Sequence, residues 1–183
     1  IMVVSSGVEK GQLVVTGMRD PLAEDPAEIA RQMQIADVVG TWRPYQDLAP
    51  QFIVKRVLTR LTPPATVTVQ LESEVLRFHG HATQEWITKA IDSARTVPGV
   101  NKLDTDQLIS TDQYLLAEAK RELSLPDNLT LVVKDQVLQL TGHVNTTNFQ
   151  ALQQQLQQFH QAQPELASID TSELLDVESE SQR

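Results

Sequence analysis

The strongest constraint on the fold of this chain is a repeat within its own sequence. Residues 66–81 align without a gap on residues 128–143, so that Gly80 and Gly142 stand 62 residues apart. A fainter copy at residues 11–17 ends on Gly17, which precedes Gly80 by 63 residues. We therefore predict three successive copies of one supersecondary unit.

Within the middle copy, the hydrophobic period changes in a fixed order. Apolar and polar residues alternate over residues 67–72 and again over 75–79, which is typical of two half-buried strands. The polar pair between them predicts a hairpin turn. Apolar residues at helical spacing follow in residues 86–97 until Pro98-Gly99, and residues 101–109 form a third predicted strand.

An amphipathic helix is predicted before each of the two complete hairpins. It uses Ile53, Val57, Leu58 and Leu61 in the middle copy, and Leu115, Leu116, Ala119 and Leu123 in the last. The last copy continues with a helix carrying Phe149, Leu152, Leu156 and Phe159 and a closing strand at residues 168–177. In the first copy we predict a helix at residues 26–34 and a closing strand at 37–42.

The predicted fold class is α+β, with tandem αββαβ units that each form a three-stranded mixed sheet with two helices on one face. The predicted boundaries are 1–48 for a truncated first unit, 49–110 for the second, 111–178 for the third and 179–183 for a tail or linker. Because the first unit lacks its leading helix and the chain opens on Ile1-Met2, we expect an excised fragment. In the middle unit, Leu76 and Phe78 are expected to face the helices.

Composition excludes several classes of function. The formal net charge of −9, from 15 Lys+Arg and 24 Asp+Glu, disfavours nucleic acid as a partner. The chain has no cysteine, hence no disulfide or thiolate chemistry. We found no nucleophile elbow, zinc-protease helix or phosphate loop, and we expect the carboxylates to be solvated. We predict no enzymatic activity and no cofactor, and we expect the recurring glycines to serve packing.

Several segments of the chain resemble a known family. The segments 75–82, 86–94 and 97–100 resemble the BON domain, a small α/β module of bacterial envelope proteins with a strand ending in Gly, a helix and a Pro-Gly-Val turn. Residues 17–26, 42–48 and 61–67 resemble the region that precedes the OmpA-like domain in a group of outer-membrane proteins. The last unit departs from this pattern, since Gln163-Pro164-Glu165-Leu166 replaces the turn, and a deviation at its closing strand is expected.

The resemblance implies a periplasmic, outer-membrane-associated location and a non-catalytic role in binding or scaffolding an envelope protein or a membrane surface. It implies contact with peptidoglycan only through a domain outside this chain. The acidic charge argues against adsorption to anionic lipid, so we rank protein partners ahead of membranes. The alternative is a lipid or small-ligand carrier with a site between units. Oligomeric state and partner identity are not readable from these residues.

The candidate binding residues lie on the predicted exposed sheet face and in the linker between the first two units. Arg77, His79 and His81 alternate with the buried residues of one strand, and His143 repeats the position of His81. The pair His79 and His81 is too small a ligand set for a metal, so we predict no metal site. Such an uncovered face is expected to be either solvated or paired with another unit. The alternative interpretation of these residues is a solvated face.

Trp42 and Tyr45 are the candidate residues of the linker. The favoured interpretation is a hydrophobic plug at the junction of the first two units, with Pro44 stiffening the connection. The competing interpretation is an exposed aromatic anchor for a partner. These two interpretations predict opposite degrees of burial for the indole.

Overall fold

The computed structural model describes residues 1–35 and 38–177, and in these residues it contains nine strands and five helices. The first repeat comprises β1 (Met2–Glu9), β2 (Gln12–Arg19), α1 (Pro26–Gln32) and β3 (Val38–Pro44). The second comprises α2 (Pro50–Leu61), β4 (Val67–Glu72), β5 (Val75–Ala82), α3 (Gln84–Ala94) and β6 (Lys102–Ser110). The third comprises α4 (Thr111–Glu122), β7 (Leu129–Lys134), β8 (Val137–Asn145), α5 (Thr146–Ala162) and β9 (Ser168–Val177).

This architecture confirms the predicted α+β fold class. Each predicted range contains one three-stranded sheet, with the orders β1-β2-β3, β4-β5-β6 and β7-β8-β9. In the first and third sheets the hairpin strands are antiparallel and the closing strand is parallel to the middle one. Among the described helices, none is long and apolar enough to cross a membrane.

Tight two-residue turns close all three hairpins. Both central residues have positive φ in each of them, the geometry of type I′ turns: Lys10-Gly11, Ser73-Glu74 and Asp135-Gln136. In the third repeat the carboxylate of Asp112, at the start of α4, accepts the N–H groups of Asp135 at 2.9 Å and Gln136 at 2.8 Å. The polar interruptions in the sequence are therefore hairpin turns, as predicted.

The repeat glycines are required by the close approach of a neighbouring strand. A Cβ at Gly17, Gly80 or Gly142 would collide with a backbone carbonyl oxygen, that of Met2, Thr66 or Asn128 respectively. Gly80 and Gly142 also have φ of 120° and 132°, a region that residues with a side chain rarely adopt. The prediction that these glycines serve packing is confirmed.

The third repeat shows how the helices cover one face of a sheet. Leu115 and Ala119 of α4, Leu138 and Leu140 of β8 and Phe159 of α5 are buried in one cluster. Both helices are fixed at their N-termini, α4 by a capping box of Ser110 and Gln113, and α5 by the Asn145 side chain. Leu58 of α2, which the sequence assigned to a buried face, is 40% exposed, a correction to that pattern.

The described chain divides by contact density into two compact units. The first holds Ile1–Pro63, Thr68–Phe78 and Ala90–Asp104, and the second holds the rest, including everything described from Thr105 onward. The three-unit division at 48 and 110 therefore stays a prediction. Asp37, predicted as the first residue of β3, and residues 178–183, which include the predicted tail, lie outside the described residues, and α1 ends at Gln32, two residues earlier than predicted.

Candidate functional site

The most buried charged group is Asp20, which follows β2 directly. Its side chain is fully buried, and its two carboxylate oxygens accept hydrogen bonds from the N–H of Leu22 at 2.9 Å, the N–H of Asp47 at 2.7 Å and the guanidinium of Arg56. Arg56 Nη2 also donates to the carbonyl of Asp47 at 2.6 Å. This set, the Asp20 cluster, joins residues of the first repeat and its linker to helix α2.

The Asp20 cluster holds its carboxylate in the ionised state. Burial by itself raises the pKa of Asp20, but the hydrogen bonds from Leu22 and Asp47 and the hydrogen bond and charge of Arg56 outweigh it, so the pKa of Asp20 lies below its usual value. A carboxylate that is held ionised and already accepts three hydrogen bonds has little capacity to take up a proton as a general base. The arrangement serves structure.

Tyr45 extends the same cluster. Its hydroxyl donates to Asp47 Oδ2 at 3.0 Å, while Asp47 Oδ1 accepts the N–H of Ala49 at 2.9 Å, next to the start of α2. The hydrogen bond to Asp47, partial burial and the neighbouring carboxylates raise the pKa of Tyr45. The predicted binding residue Tyr45 is thus half-buried and engaged within the linker.

Trp42 lies over the first sheet. Its indole occupies the space above Gly17 and Gly40, because a Cβ added at either glycine would meet the ring. Trp42 itself is half-buried. Two glycines therefore make room for one indole on the sheet face, a contact within the first repeat that neither interpretation of the sequence described.

His81 is mostly covered by residues of the third predicted repeat. Its ring stacks on Tyr114 with centroids 3.8 Å apart and planes 3° from parallel, and its Nε2 is 2.6 Å from Glu165 Oε2. Only 14% of its side chain is exposed. The expected exposure of His81 is wrong, and the second expectation for this sheet face, pairing with another repeat, describes His81 instead, because α4 and the turn before β9 supply an aromatic face and an acceptor. We call these three residues the His81 cluster; it lies within the second compact unit.

The other predicted residues of the sheet face are exposed. Arg77 lies between Glu72 at 3.6 Å and Asp104 at 3.8 Å, and a ring nitrogen of His79 is 2.8 Å from Gln107 Oε1. His143 is exposed. The structure therefore leaves Arg77 and His79 each exposed with polar neighbours, whereas His81 is covered by its partners.

No metal centre is gathered in the part of the chain that the structure describes. Within residues 1–35 and 38–177, no group of three or more histidine and carboxylate side chains is placed to hold an ion. The carboxylate near His81 is that of Glu165, which forms a two-residue contact and stands 84 positions along the chain. A stable zinc site requires three or four such ligands.

Sequence reasoning missed Asp20, Arg56, Tyr114 and Glu165 as partners. The one available signal was the departure at Gln163-Pro164-Glu165-Leu166 from the Pro-Gly-Val turn, and the residue that departs supplies the acceptor for His81. The same copy shows the expected deviation at its closing strand, where the register of β8 and β9 shifts between Gln139 and Thr141. No comparable signal in the sequence marked Asp20, which is one of many carboxylates.

Comparison with known proteins adds little to this geometry. No family model matches the chain, and no curated protein is significantly similar to it. A solved structure of CdsD, a structural protein of the type III secretion system of Chlamydia trachomatis, aligns over 96% of this chain and 86% of its own at 15% identity and a TM-score of 0.42. A structure of the CdsD C-terminal domain aligns over 93% and 89%, at 15% identity and a TM-score of 0.36. At these TM-scores the similarity assigns neither family nor function.

Proposed function

We propose that this chain is a non-catalytic module of the bacterial cell envelope, in the periplasm and associated with the outer membrane, that scaffolds or binds a protein partner. In this proposal its repeats are BON-like units of an OmpA-family-like protein. One observation supports the proposal most directly. The groups best suited to chemistry, the buried Asp20 and the partly buried His81, are both engaged in contacts that join one predicted repeat to the next.

Those contacts favour a structural role for two reasons. A catalytic carboxylate or imidazole needs access to a substrate and a proton to exchange, whereas Asp20 is fully buried and His81 is covered by Tyr114. The recognition surface is then what remains exposed, and Arg77 and His79 of β5 provide charge and hydrogen-bonding groups there. Surface recognition fits this distribution better than a reaction does.

Protein is favoured over membrane as the partner because of charge. Adsorption to an anionic leaflet depends on clustered Lys and Arg, and each contributes about 1 kcal/mol near the surface. This chain carries a net charge of −9, and its exposed Arg77 is flanked by Glu72 and Asp104. We expect no flotation of the purified chain with phosphatidylglycerol vesicles at physiological salt.

The proposal is tested by site-specific photocrosslinking in the envelope of the bacterium that encodes the chain. p-Benzoylphenylalanine in place of Arg77 is expected to give a discrete adduct with one protein, which mass spectrometry then identifies. The matched control is the same probe in place of Lys89, which lies on the exposed side of α3 and forms an ion pair with Glu85. Equal adducts from both positions, adducts with lipid alone, or recovery of the chain in the cytoplasm would contradict the proposal.

A second candidate function, a small-ligand or lipid carrier, is favoured by one specific feature. A cleft of about 330 Å³ lies in the first compact unit, between the loop after β2 and helix α2. Its residues come from the first two predicted repeats, as the carrier alternative expects. Native mass spectrometry of the purified chain, with a lipid retained in stoichiometric amount, would favour this candidate over the scaffold.

A further inference from the structure

The cleft in the first compact unit is lined by charged side chains and by apolar ones. The ion pair of Asp20 and Arg56 lines it, and so does Arg60 on the next turn of α2. The apolar lining consists of Pro21, Leu22, Val97 and Pro98. A volume of about 330 Å³ is near the lower end of the roughly 300–1,000 Å³ of ligand pockets, so it suits a short segment.

Helix α2 gives the cleft a local positive charge in an acidic chain. The helix carries Lys55, Arg56 and Arg60 and has no acidic residue. Asp20 neutralises Arg56, and the ammonium of Lys55 is tied to the carbonyl of Leu22 at 2.7 Å. The exposed guanidinium of Arg60 therefore stands beside the cleft as the group best placed to meet an external anion.

Arg56, which also lines the cleft, carries a donor without an acceptor in the described part of the chain. Arg56 Nη1 is buried and has no hydrogen-bond partner among the described residues, although Nη2 of the same guanidinium is doubly engaged. A buried donor without an acceptor destabilises the folded state. Within residues 1–35 and 38–177 the protein thus leaves one donor of Arg56 unsatisfied, and Arg56 lines the cleft together with Arg60.

We propose that this cleft binds an extended segment of a partner protein in which an acidic residue stands next to an aliphatic one. The acidic side chain pairs with Arg60, and the aliphatic side chain packs between Leu22 and Pro98. The side-chain amide of Gln46, which also lines the cleft, offers a donor and an acceptor to the backbone of the segment. The inference rests on the proposed scaffold function and names the partner chemistry for one of its surfaces.

A peptide fits this cleft better than an anionic lipid does. A membrane surface would have to approach a chain whose net charge is −9, whereas a short acidic segment needs only the local field of α2. The wall residues include two prolines, which present rigid apolar rings without N–H groups to satisfy. Such walls suit an aliphatic side chain.

The test uses the full chain and a fluorescein-labelled pentapeptide, acetyl-Leu-Asp-Leu-Glu-Val-amide, with binding measured by fluorescence anisotropy. The matched probe carries Asn and Gln in place of Asp and Glu. We expect saturable binding of the acidic peptide alone. Arg60→Glu is expected to weaken this binding by about tenfold or more, because it replaces attraction by repulsion at an exposed position.

The control variant is Lys120→Glu, which makes the same change of net charge at an exposed position of α4 in the second compact unit. It is expected to leave the affinity within about twofold, because Lys120 is not among the residues that line the cleft. Leu22→Ser tests the apolar wall and is expected to weaken binding of the acidic peptide. Unchanged melting temperatures for the three variants exclude unfolding as the cause.

Four outcomes would overturn the inference: no binding at about 1 mM peptide, an affinity that corresponds to less than about 4 kcal/mol; equal binding of both peptides; equal binding by Arg60→Glu; or binding of sodium decanoate without binding of the peptide. The last outcome favours the carrier function. Crosslinking through position 77 on β5 does not involve the cleft, so it continues to test the scaffold proposal if this inference fails.

Discussion

The turn after the second strand is used differently in the first and third repeats, although its sequence position is the same. Three residues beyond the repeat glycine stand Asp20, Thr83 and Asn145. Asn145 Oδ1 accepts the N–H of Asn148 at 2.9 Å and caps α5, and Thr83 Oγ1 accepts the N–H of Trp86 at 3.3 Å at the start of α3. Asp20 instead pairs with Arg56, and Asp25 caps α1.

The repeats therefore share a type of side chain at this position, but the group that donates a hydrogen bond to it differs between them. The position takes a short side chain with an oxygen acceptor. In the second and third repeats the helix starts at once and its free N–H groups use that acceptor. In the first repeat α1 begins only at Pro26, so the carboxylate of Asp20 is left for the cation that α2 brings to it.

The largest effect is expected from the part of the turn that the repeats share. Gly80→Ala and Gly142→Ala should each lower the free energy of unfolding by about 3 kcal/mol, because a Cβ meets a backbone carbonyl and φ is positive. Gly7→Ala is the control, since nothing lies within 4 Å of its Cβ position, and it should change stability by less than about 1 kcal/mol. Urea unfolding measures all three; equal effects at Gly7 and Gly80 would show that the close approach is not what requires glycine.

Breaking the ion pair of the first repeat should cost nearly as much. Arg56→Met is expected to lower the free energy of unfolding by about 3 kcal/mol, because Asp20 is fully buried and would keep its charge without a counterion. Arg60→Met, one turn further along α2 and exposed, should stay within about 0.5 kcal/mol of the unmodified chain. Thermal and urea unfolding report the difference, and a stable Arg56→Met protein would remove the structural role assigned to the pair.

Asp20 should contribute to the loss of folding stability at acidic pH. Since the folded-state pKa of Asp20 is lowered, its contribution is present above the unfolded value near 3.8 and is lost as pH falls from there through the lower folded-state pKa. Asp20→Asn should cost about 2 kcal/mol at neutral pH, and this difference should shrink below that value. Urea titrations at neutral pH and at about pH 3 measure it. A difference that is constant with pH would contradict the assignment.

The two repeat-equivalent histidines should differ in their contribution to stability. His81→Ala removes the stack on Tyr114 and the contact with Glu165 and should cost about 1.5 kcal/mol. His143→Ala removes an exposed side chain and should cost less than about 0.5 kcal/mol. Equal effects on the unfolding midpoint would show that the His81 cluster does not stabilise the second compact unit.

The smallest effect is expected at the helix cap of the third repeat. Asn145→Ala should lower the free energy of unfolding by about 1 kcal/mol, the usual value for removing an N-cap acceptor. Asn145→Asp, which retains the acceptor, should restore the stability. If Asn145→Ala matched Asp20→Asn in magnitude, the contrast between capping and ion pairing at this position would be lost.

Much of the fold was readable from the sequence because its signals are local. The alternation in residues 67–72 and the polar pair at 73–74 act within a few residues, and they were confirmed as a strand and a turn. Gly80 was marked by its recurrence in the repeat, and the close approach that requires it was confirmed. The prediction that Leu58 is buried was wrong. Helical spacing shows which side of a helix is apolar but not where the buried face ends, and Leu58 lies at its edge with 40% exposure.

The candidate site was much less predictable. Alternation correctly predicted exposed side chains at Arg77 and His79. For His81 it could not decide between exposure and pairing with another repeat, because a strand pattern assigns sides without regard to what later packs against them. Tyr45 was identified as a linker residue, whereas Trp42, which was assigned to the linker as well, lies in β3. Their partners Asp47 and Gly40 were not identified. Nothing in the pattern of one strand or one linker encodes such partners.

By itself, the sequence determined the number and order of the strands and helices and the positions of the turns and the glycines, since backbone conformation follows from short-range sterics and hydrophobic period. Only the tertiary structure decided which polar groups meet. Arg56 reaches Asp20 across 36 residues and Glu165 reaches His81 across 84, and the choice among the 24 acidic residues depends on burial and desolvation that arise only when the elements pack.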